Sequence, residues 1–289
     1  VGDIREGIES VLKETAEIRY AYLDSKRNFD KGPEKAEEAY AMYQEFKPDG
    51  IIVADDDAQA MFVVPYLKDK VKTPVMFCGV NAEPEKYGYP ASNVSGVLER
   101  YHISQSVALA QQLVPSVKTV AFISKDGPLA QALSEQVKKE SDTYSATVVA
   151  FKMPKTVKEA VEMSKELSRQ CDLLYIDSLQ GLPDENGTPL SDKQVEPMLV
   201  KAFGKATVGG TTTGLKGGGL CVVDEAGQEQ GEVSSNMLLK AMKGTPISQI
   251  PIVRNLKGKR MINITTLKSL GITPKADVLI KTEFVKTEE

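Results

Sequence analysis

Apolar runs of strand length alternate with amphipathic runs of helix length along almost the whole chain. No other feature constrains the fold as strongly. Strand and helix in regular alternation build parallel sheets covered by helices on both faces. The opening run DIREGIESVLKE sets Ile4, Ile8, Val11 and Leu12 on one helical face, with Asp3 and Glu6 spaced as a capping box. EIRYAYL then predicts a strand. PEKAEEAYAMYQEF predicts a helix with Pro33 in its first turn, and GIIVA a strand. AQAMFVV predicts a helix that Pro65 should kink or end, and PVMFCGV and NVSGVL predict strands.

After about residue 100 the series restarts. Helices are predicted over ISQSVALAQQLV, GPLAQALSEQVKKE, TVKEAVEMSKEL (capped by Thr156 and Glu159), SDKQVEPMLVKAF and EQGEVSSNMLLKAMKG, the last ended by Gly244. Strands are predicted over KTVAFIS, SATVVAF, CDLLYID, ATVGG, GLCVV and RMINI. KTEFVKTEE reads as a charged tail. About ten strands exceed what one compact sheet of this length usually holds, so the expected fold class is α/β with two doubly wound, Rossmann-like lobes. The chain enters on a helix, whereas a doubly wound lobe normally opens on its central strand. A strand and its loop are therefore expected ahead of Val1.

Composition narrows the function. The chain has 289 residues, is 41% hydrophobic and 26% charged, and carries a formal net charge of −4. It shows no basic stripe of the kind nucleic acid requires, and no apolar run reaches the ~18 residues of a membrane span. Cys78, Cys171 and Cys221 are too few and too scattered for a disulfide framework, and each is expected to pack as a small hydrophobe. The single histidine, His102, excludes HExxH zinc sites, and without a G-x-S-x-G elbow it makes a poor triad base. GGTTTGLKGGG lacks the Gly-Lys-Ser/Thr of a phosphate loop; its glycines read as a tight turn and its threonines as rim residues. No cofactor and no metal is expected.

Ligands of parallel α/β sheets bind beyond the carboxyl ends of the strands. The segments that follow the predicted strands here are DSKRN, DDDAQ, VNAEP, SKDG, DSLQG, TTTG and DEAG, nearly all short and polar. Asp and Ser also cap the helices that follow such strands, so each residue singly has two readings. Contiguous Asp55, Asp56 and Asp57 cannot converge on one ion in the D-x-D-x-D manner of a calcium loop. Asp55 and Asp56 are expected at the rim in contact with ligand, and Asp57 as the cap of the next helix. With two polar rims and no catalytic machinery, a protein that grips a small molecule and releases it is expected, rather than an enzyme such as an aspartate-dependent hydrolase.

IIVADDDAQ, PVMFCGVN, NVSGVLE, QLVPSVKTVAFIS, CDLLYIDS and MINITTLKSLGIT, in this order and spacing, resemble the ABC-transporter substrate-binding family that includes tryptophan/phenylalanine-binding lipoproteins. The resemblance runs from residue 3 to about 280 and implies a type I periplasmic-binding-protein fold, two lobes joined by three crossover strands with solute held in the cleft. Lobe one is then 1–98 with 226–250, lobe two 102–223 with 251–280, and 281–289 a tail. The crossings fall at Glu99, Arg100 and Tyr101, at Asp224 and Glu225, and at Ile250–Ile252 around Pro251. The expected ligand contacts are Asp24, Ser25, Asp55, Asp56, Gly79, Val80 and Asn81 from lobe one. Lobe two contributes Ser124, Lys125, Asp126, Asp177, Ser178, Thr211 and Thr212, with Asp224 at a crossing. The implied partners are a small amino-acid-like, aromatic solute and an ABC permease in the membrane. The implied location is the periplasm or outer face of the cell membrane, with an N-terminal lipid anchor if the protein is lipidated. LDSKR and FCGVN are closer to a sister branch that serves as the extracellular sensor of histidine kinases, which stands as the alternative.

Overall fold

A computed structural model describes residues 2–25 and 28–288. The chain forms two compact units, Val1–Arg100 with Glu225–Lys257, and Tyr101–Asp224 with Gly258–Glu289. Through the first crossing it runs α1 (Gly2–Leu12), α2 (Gly32–Phe46), β1 (Ile51–Ala54), α3 (Asp56–Ala58), β2 (Val75–Val80), β3 (Val94–Leu98). Next come α4 (Ile103–Leu113), β4 (Thr119–Ile123), α5 (Pro128–Glu140), β5 (Thr147–Lys152), α6 (Val157–Leu167), β6 (Leu173–Ile176), β7 (Leu182–Pro183), β8 (Pro189–Leu190). The remainder is α7 (Asp192–Phe203), β9 (Thr207–Gly209), α8 (Thr212–Lys216), β10 (Cys221–Glu225), α9 (Gly227–Met242), β11 (Val253–Arg254), β12 (Gly258–Asn263), α10 (Ile264–Ser269) and β13 (Thr282–Val285).

Lobe one is a sheet in the order β1-β2-β3-β11, each neighbouring pair parallel. Every residue of β2 is buried, as expected of a parallel strand covered on both faces. Its side chains divide by parity. Met76 packs with Met237 and Leu238 of α9, and Phe77 with Phe62, Val63 and Leu67 on the opposite face. Helix α1 lies on α9 at very short range. A Cβ at Gly7 would stand 2.1 Å from the Gln228 carbonyl oxygen, and one at Gly231 2.1 Å from that of Ile4. Lobe two holds a seven-stranded sheet in the order β13-β12-β10-β9-β6-β4-β5. Phe122, Leu173, Tyr175 and Val208 are buried on one face against α4, and Ile123, Leu174 and Ile176 on the other against α6 and α7.

Several expectations are corrected. The tail reading of 281–289 fails: Thr282–Val285 is a strand paired in parallel with β12, and Glu288 is bonded to Lys193 at 3.0 Å and Lys216 at 2.7 Å. The last boundary lies after Lys257 rather than at Ile250–Ile252, because β11 pairs with β3 and the Asn255 amide donates to the Leu98 carbonyl. EIRYAYL is extended but joins no ladder among the described residues. Its Tyr20 hydroxyl donates to Glu9 at 3.0 Å, and its ring stacks with Tyr22 and lies under Arg5.

Pro65 does not end its helix. Gln59–Leu67 winds as a π-helix, with Lys68 N–H donating to the Val63 carbonyl five residues back, and the wider turn takes in a residue that has no N–H of its own. Thr212–Lys216 forms a short helix that the sequence did not predict, and the turn expected of the glycines follows it at Gly217 and Gly218. Asp3 lies inside the first turn of α1 rather than at its cap. Cys78, Cys171 and Cys221 are buried free thiols, as their apolar settings predict.

Candidate functional site

The carboxyl end of β1 in lobe one delivers Asp55 at φ 82° and ψ 152°, a conformation sparsely populated for a residue with a side chain. Its carboxylate accepts the Asp56 N–H at 2.8 Å and caps α3, so the capping role assigned to Asp57 belongs to Asp55. Asp56 turns inward along the rim. It accepts Asn81 N–H at 2.9 Å, Ala82 N–H at 3.2 Å and the Tyr87 hydroxyl at 2.6 Å. Burial and the Asp56 charge hold the Tyr87 phenol above its ordinary pKa.

The neighbouring loop, after β2, is positioned from below. Gly79 at φ 61° donates its N–H to the buried Gln230 side chain of α9 at 3.1 Å, Val80 is fully buried, and the Asn81 amide donates to Glu99 at 3.1 Å. Asp24 is exposed at φ 50° and accepts from the Asn28 amide. Ser25 follows in a turn, and Lys26 and Arg27 of the same motif lie outside the described residues.

In lobe two the carboxyl ends of β4 and β6 meet. The Ser124 hydroxyl donates to Asp177 Oδ2 at 2.9 Å, and both residues are about 1% exposed. Asp177 Oδ1 has no hydrogen-bond partner, and a Cβ at Gly210 would stand 2.9 Å from it. Burial, and behind it the charge of Asp192, raises the Asp177 pKa against the hydrogen bonds it accepts. The Ser178 hydroxyl donates to Asp192, which also accepts Leu179 N–H at 2.6 Å. Lys125 points its ammonium at the Gln180 carbonyl at 2.9 Å, and Asp126 pairs loosely with Lys155 at 3.9 Å. Thr211 precedes α8, and the Thr212 hydroxyl donates to Asp224 at the end of β10. The structure therefore gathers Ser124, Asp177 and Ser178 in one hydrogen-bonded group and Thr212 with Asp224 in a second. Among the described residues no three His, Cys, Asp or Glu side chains converge to hold a metal ion.

Three functional neighbours escaped the sequence reading. Asn255 is nearly fully buried; it accepts Arg100 N–H at 2.8 Å and donates to the Arg100 carbonyl at 3.0 Å, tying the first crossing segment to the third. Glu229 accepts Leu256 and Lys257 N–H groups at 2.8–3.1 Å. Glu196 is about 3% exposed on the apolar face of α7 beside Val195 and Leu199, and burial pushes its pKa to about 8. A carboxylate at an apolar-face position of VEPMLVKAF was the one available signal. Of the remaining crossing residues, the Arg100 guanidinium donates to the Asn81 and Glu99 carbonyls, and Tyr101 accepts from Gln136 at its own carbonyl. Glu225 ends β10, and Pro251 is exposed within lobe one.

A family model described as ABC transporter substrate binding protein matches residues 2–286. The chain belongs to that family. A search of curated proteins gives no significant match. This substrate-binding protein is similar in structure to a ligand-free, open substrate-binding protein with adhesive properties from Clostridium difficile, with TM-score 0.75 and 17% identity over 99% of this chain and 95% of that one. It is also similar to a Streptococcus pneumonia ABC domain in complex with L-Trp, with TM-score 0.63 and 19% identity over 98% and 96%. A periplasmic ribose ABC transporter from Conexibacter woesei aligns at TM-score 0.52 and 14% identity over 93% and 90%. The fold is that of type I periplasmic binding proteins. The family is one of extracytoplasmic solute-binding proteins, not enzymes, that take small molecules and serve ABC permeases. No helix among the described residues is long and apolar enough to cross a membrane.

Proposed function

We propose that this protein is the solute receptor of an ABC importer and that its solute is amino-acid-like, with an aromatic side chain. The family match over nearly the whole chain carries the receptor role. The ligand class is supported by the polar carboxyl-end rims of both parallel sheets and by the L-Trp held by one structural neighbour. In this reading the Asp55 turn and the Gly79–Asn81 loop serve lobe one, and the Ser124–Asp177–Ser178 group with Thr211, Thr212 and Asp224 serves lobe two. Asp56 holds Asn81 in place. Asp24, Ser25, Lys125 and Asp126 stand at the edges of their rims. Carboxylates suit a solute ammonium, and loop N–H groups suit its carboxylate. Solute favours the closed form because only there do both rims reach it, and the crossings at Arg100–Tyr101, Asp224–Glu225 and Lys257–Gly258 take up the rotation.

Mass spectrometry of small molecules that co-purify, followed by calorimetric titration of the twenty amino acids, tests this reading. Binding of an aromatic amino acid, weakened at least about tenfold (~1.4 kcal/mol) in Asp224→Asn, is the expected result. Tight binding of a sugar, or a folded protein indifferent to every amino acid, overturns the ligand class.

A further inference from the structure

The lobe-two rim rests on a buried acid that the binding scheme does not use. Glu196 lies in α7, about 3% exposed, and its Oε2 has no hydrogen-bond partner. The carboxyl packs directly under α8. A Cβ at Gly217 would stand 2.8 Å from Oε2, and one at Gly214 would stand 3.3 Å from Oε1 and 3.5 Å from Oε2. Gly214 within α8 and Gly217 at its C-cap thus make the space this carboxyl occupies. Helix α8 begins at Thr212, whose hydroxyl is bonded to Asp224. The acid, its seat and the rim form one stack.

We propose that Glu196 is a positioning residue for the lobe-two rim: as a neutral carboxyl it seats α8, and its ionisation loosens the Thr211–Thr212 turn and weakens solute binding. In the ionised carboxyl Oε2 would have no hydrogen-bond donor to replace its lost water, which is costly. The charges around it offer no relief. Asp192 one turn earlier on α7 and Asp177 at the end of β6 both disfavour its ionisation. Lys216, the cation of α8, is paired with Glu288 at 2.7 Å. On α6, which packs beside α7, Lys158, Glu162 and Lys165 line a surface groove with Met198 and the β7–β8 hairpin. Burial and the two aspartates move the Glu196 pKa to about 8, so the change falls within an accessible pH range. Parting α8 from α7 is the simplest way to hydrate the anion, and it displaces Thr212.

Hydrogen exchange of wild type and Glu196→Gln, compared at matched pH, tests the device without any ligand. The expected result is that segment 211–217 loses protection relative to the variant as pH rises from 6.5 to 8.5 (~2 pH units, about a hundredfold change in the ratio of ionised to neutral carboxyl). Equal protection in the two proteins throughout overturns the proposal. If the variant does not fold, titration of wild type labelled with ¹³C at glutamate carboxyls decides. One carboxyl titrating above pH 7, with chemical-shift changes at Thr212 and Gly214, is expected, and none overturns it. The ligand arm rests on the receptor reading. L-tryptophan affinity should fall several-fold over the same range in wild type and stay flat in Glu196→Gln. If L-tryptophan binds at neither pH, the aromatic-solute reading fails while the exchange result still judges Glu196.

Discussion

Asp56 and Asp55 are adjacent, chemically identical, and do different work. Asp55 bends the chain out of β1 at positive φ and caps a helix. Asp56 gathers two backbone N–H groups and a tyrosine hydroxyl from a loop some 25 to 31 residues away. Asp56→Ala leaves those donors without an acceptor, so lobe one should lose about 1–3 kcal/mol, read as a lower urea midpoint with an unchanged slope. Solute affinity should fall too, through a misplaced Asn81. Asp172 supports a pH prediction. Its carboxylate accepts N–H groups of Lys118 and Thr119 and the Thr119 hydroxyl, and these bonds hold its pKa below the ordinary value. A depressed folded-state pKa stabilises the protein above the unfolded value, near 4, and that contribution disappears as pH falls through the folded one. Asp172→Asn should therefore be less stable than wild type at pH 7, and the gap should close in acid-dependent melts as pH falls through the depressed folded-state value.

At the scale of elements, most of the fold was legible because burial periodicity survives in sequence: VMFCGV reads as a buried parallel strand and is one. The Thr156 cap was equally legible, and its hydroxyl accepts Glu159 N–H at 3.1 Å. What escaped depended on distant partners. TEFV at 282–285 is short, half polar and set in a charged run, and it is a strand because β12 offers a free edge; EIRYAYL has a strand's composition and no ladder among the described residues. The candidate site divides in the same way. Its loops were found from strand ends, but no pattern said that Asp56 would face the protein or that Glu196 would lie beneath α8. Truncation after Lys281 removes the β13 ladder and the Glu288 pairs, and should lower the lobe-two melting transition by several degrees, about 1–2 kcal/mol. Gly96→Ala is harsher. The new Cβ would stand 2.3 Å from the Phe77 carbonyl oxygen and 2.5 Å from its ring, forcing β2 from β3. A loss of about 3 kcal/mol is expected, or failure to fold, by circular dichroism.

For the whole molecule the question is whether solute acts on one lobe or on both. Three chain crossings join the units, at residues 100–101, 224–225 and 257–258, and two of the flanking segments are fastened within lobe one by Asn255. That fastening links the segments beside the first and third crossings by two hydrogen bonds. Asn255→Ala removes the acceptor of Arg100 N–H and the donor to its carbonyl, so the two segments gain independent freedom. If solute binding is coupled to rotation about the crossings, the variant should bind more weakly than wild type. In wild type, solute at 100 times its dissociation constant should add about 2.7 kcal/mol to stability and reduce the radius of gyration measured by small-angle scattering. Compaction in wild type, with affinity reduced at least about threefold (~0.7 kcal/mol) in Asn255→Ala, is the pattern that closure requires. Stabilisation with no change in radius would instead mean that one lobe holds the solute by itself, and the crossings would then be simple tethers.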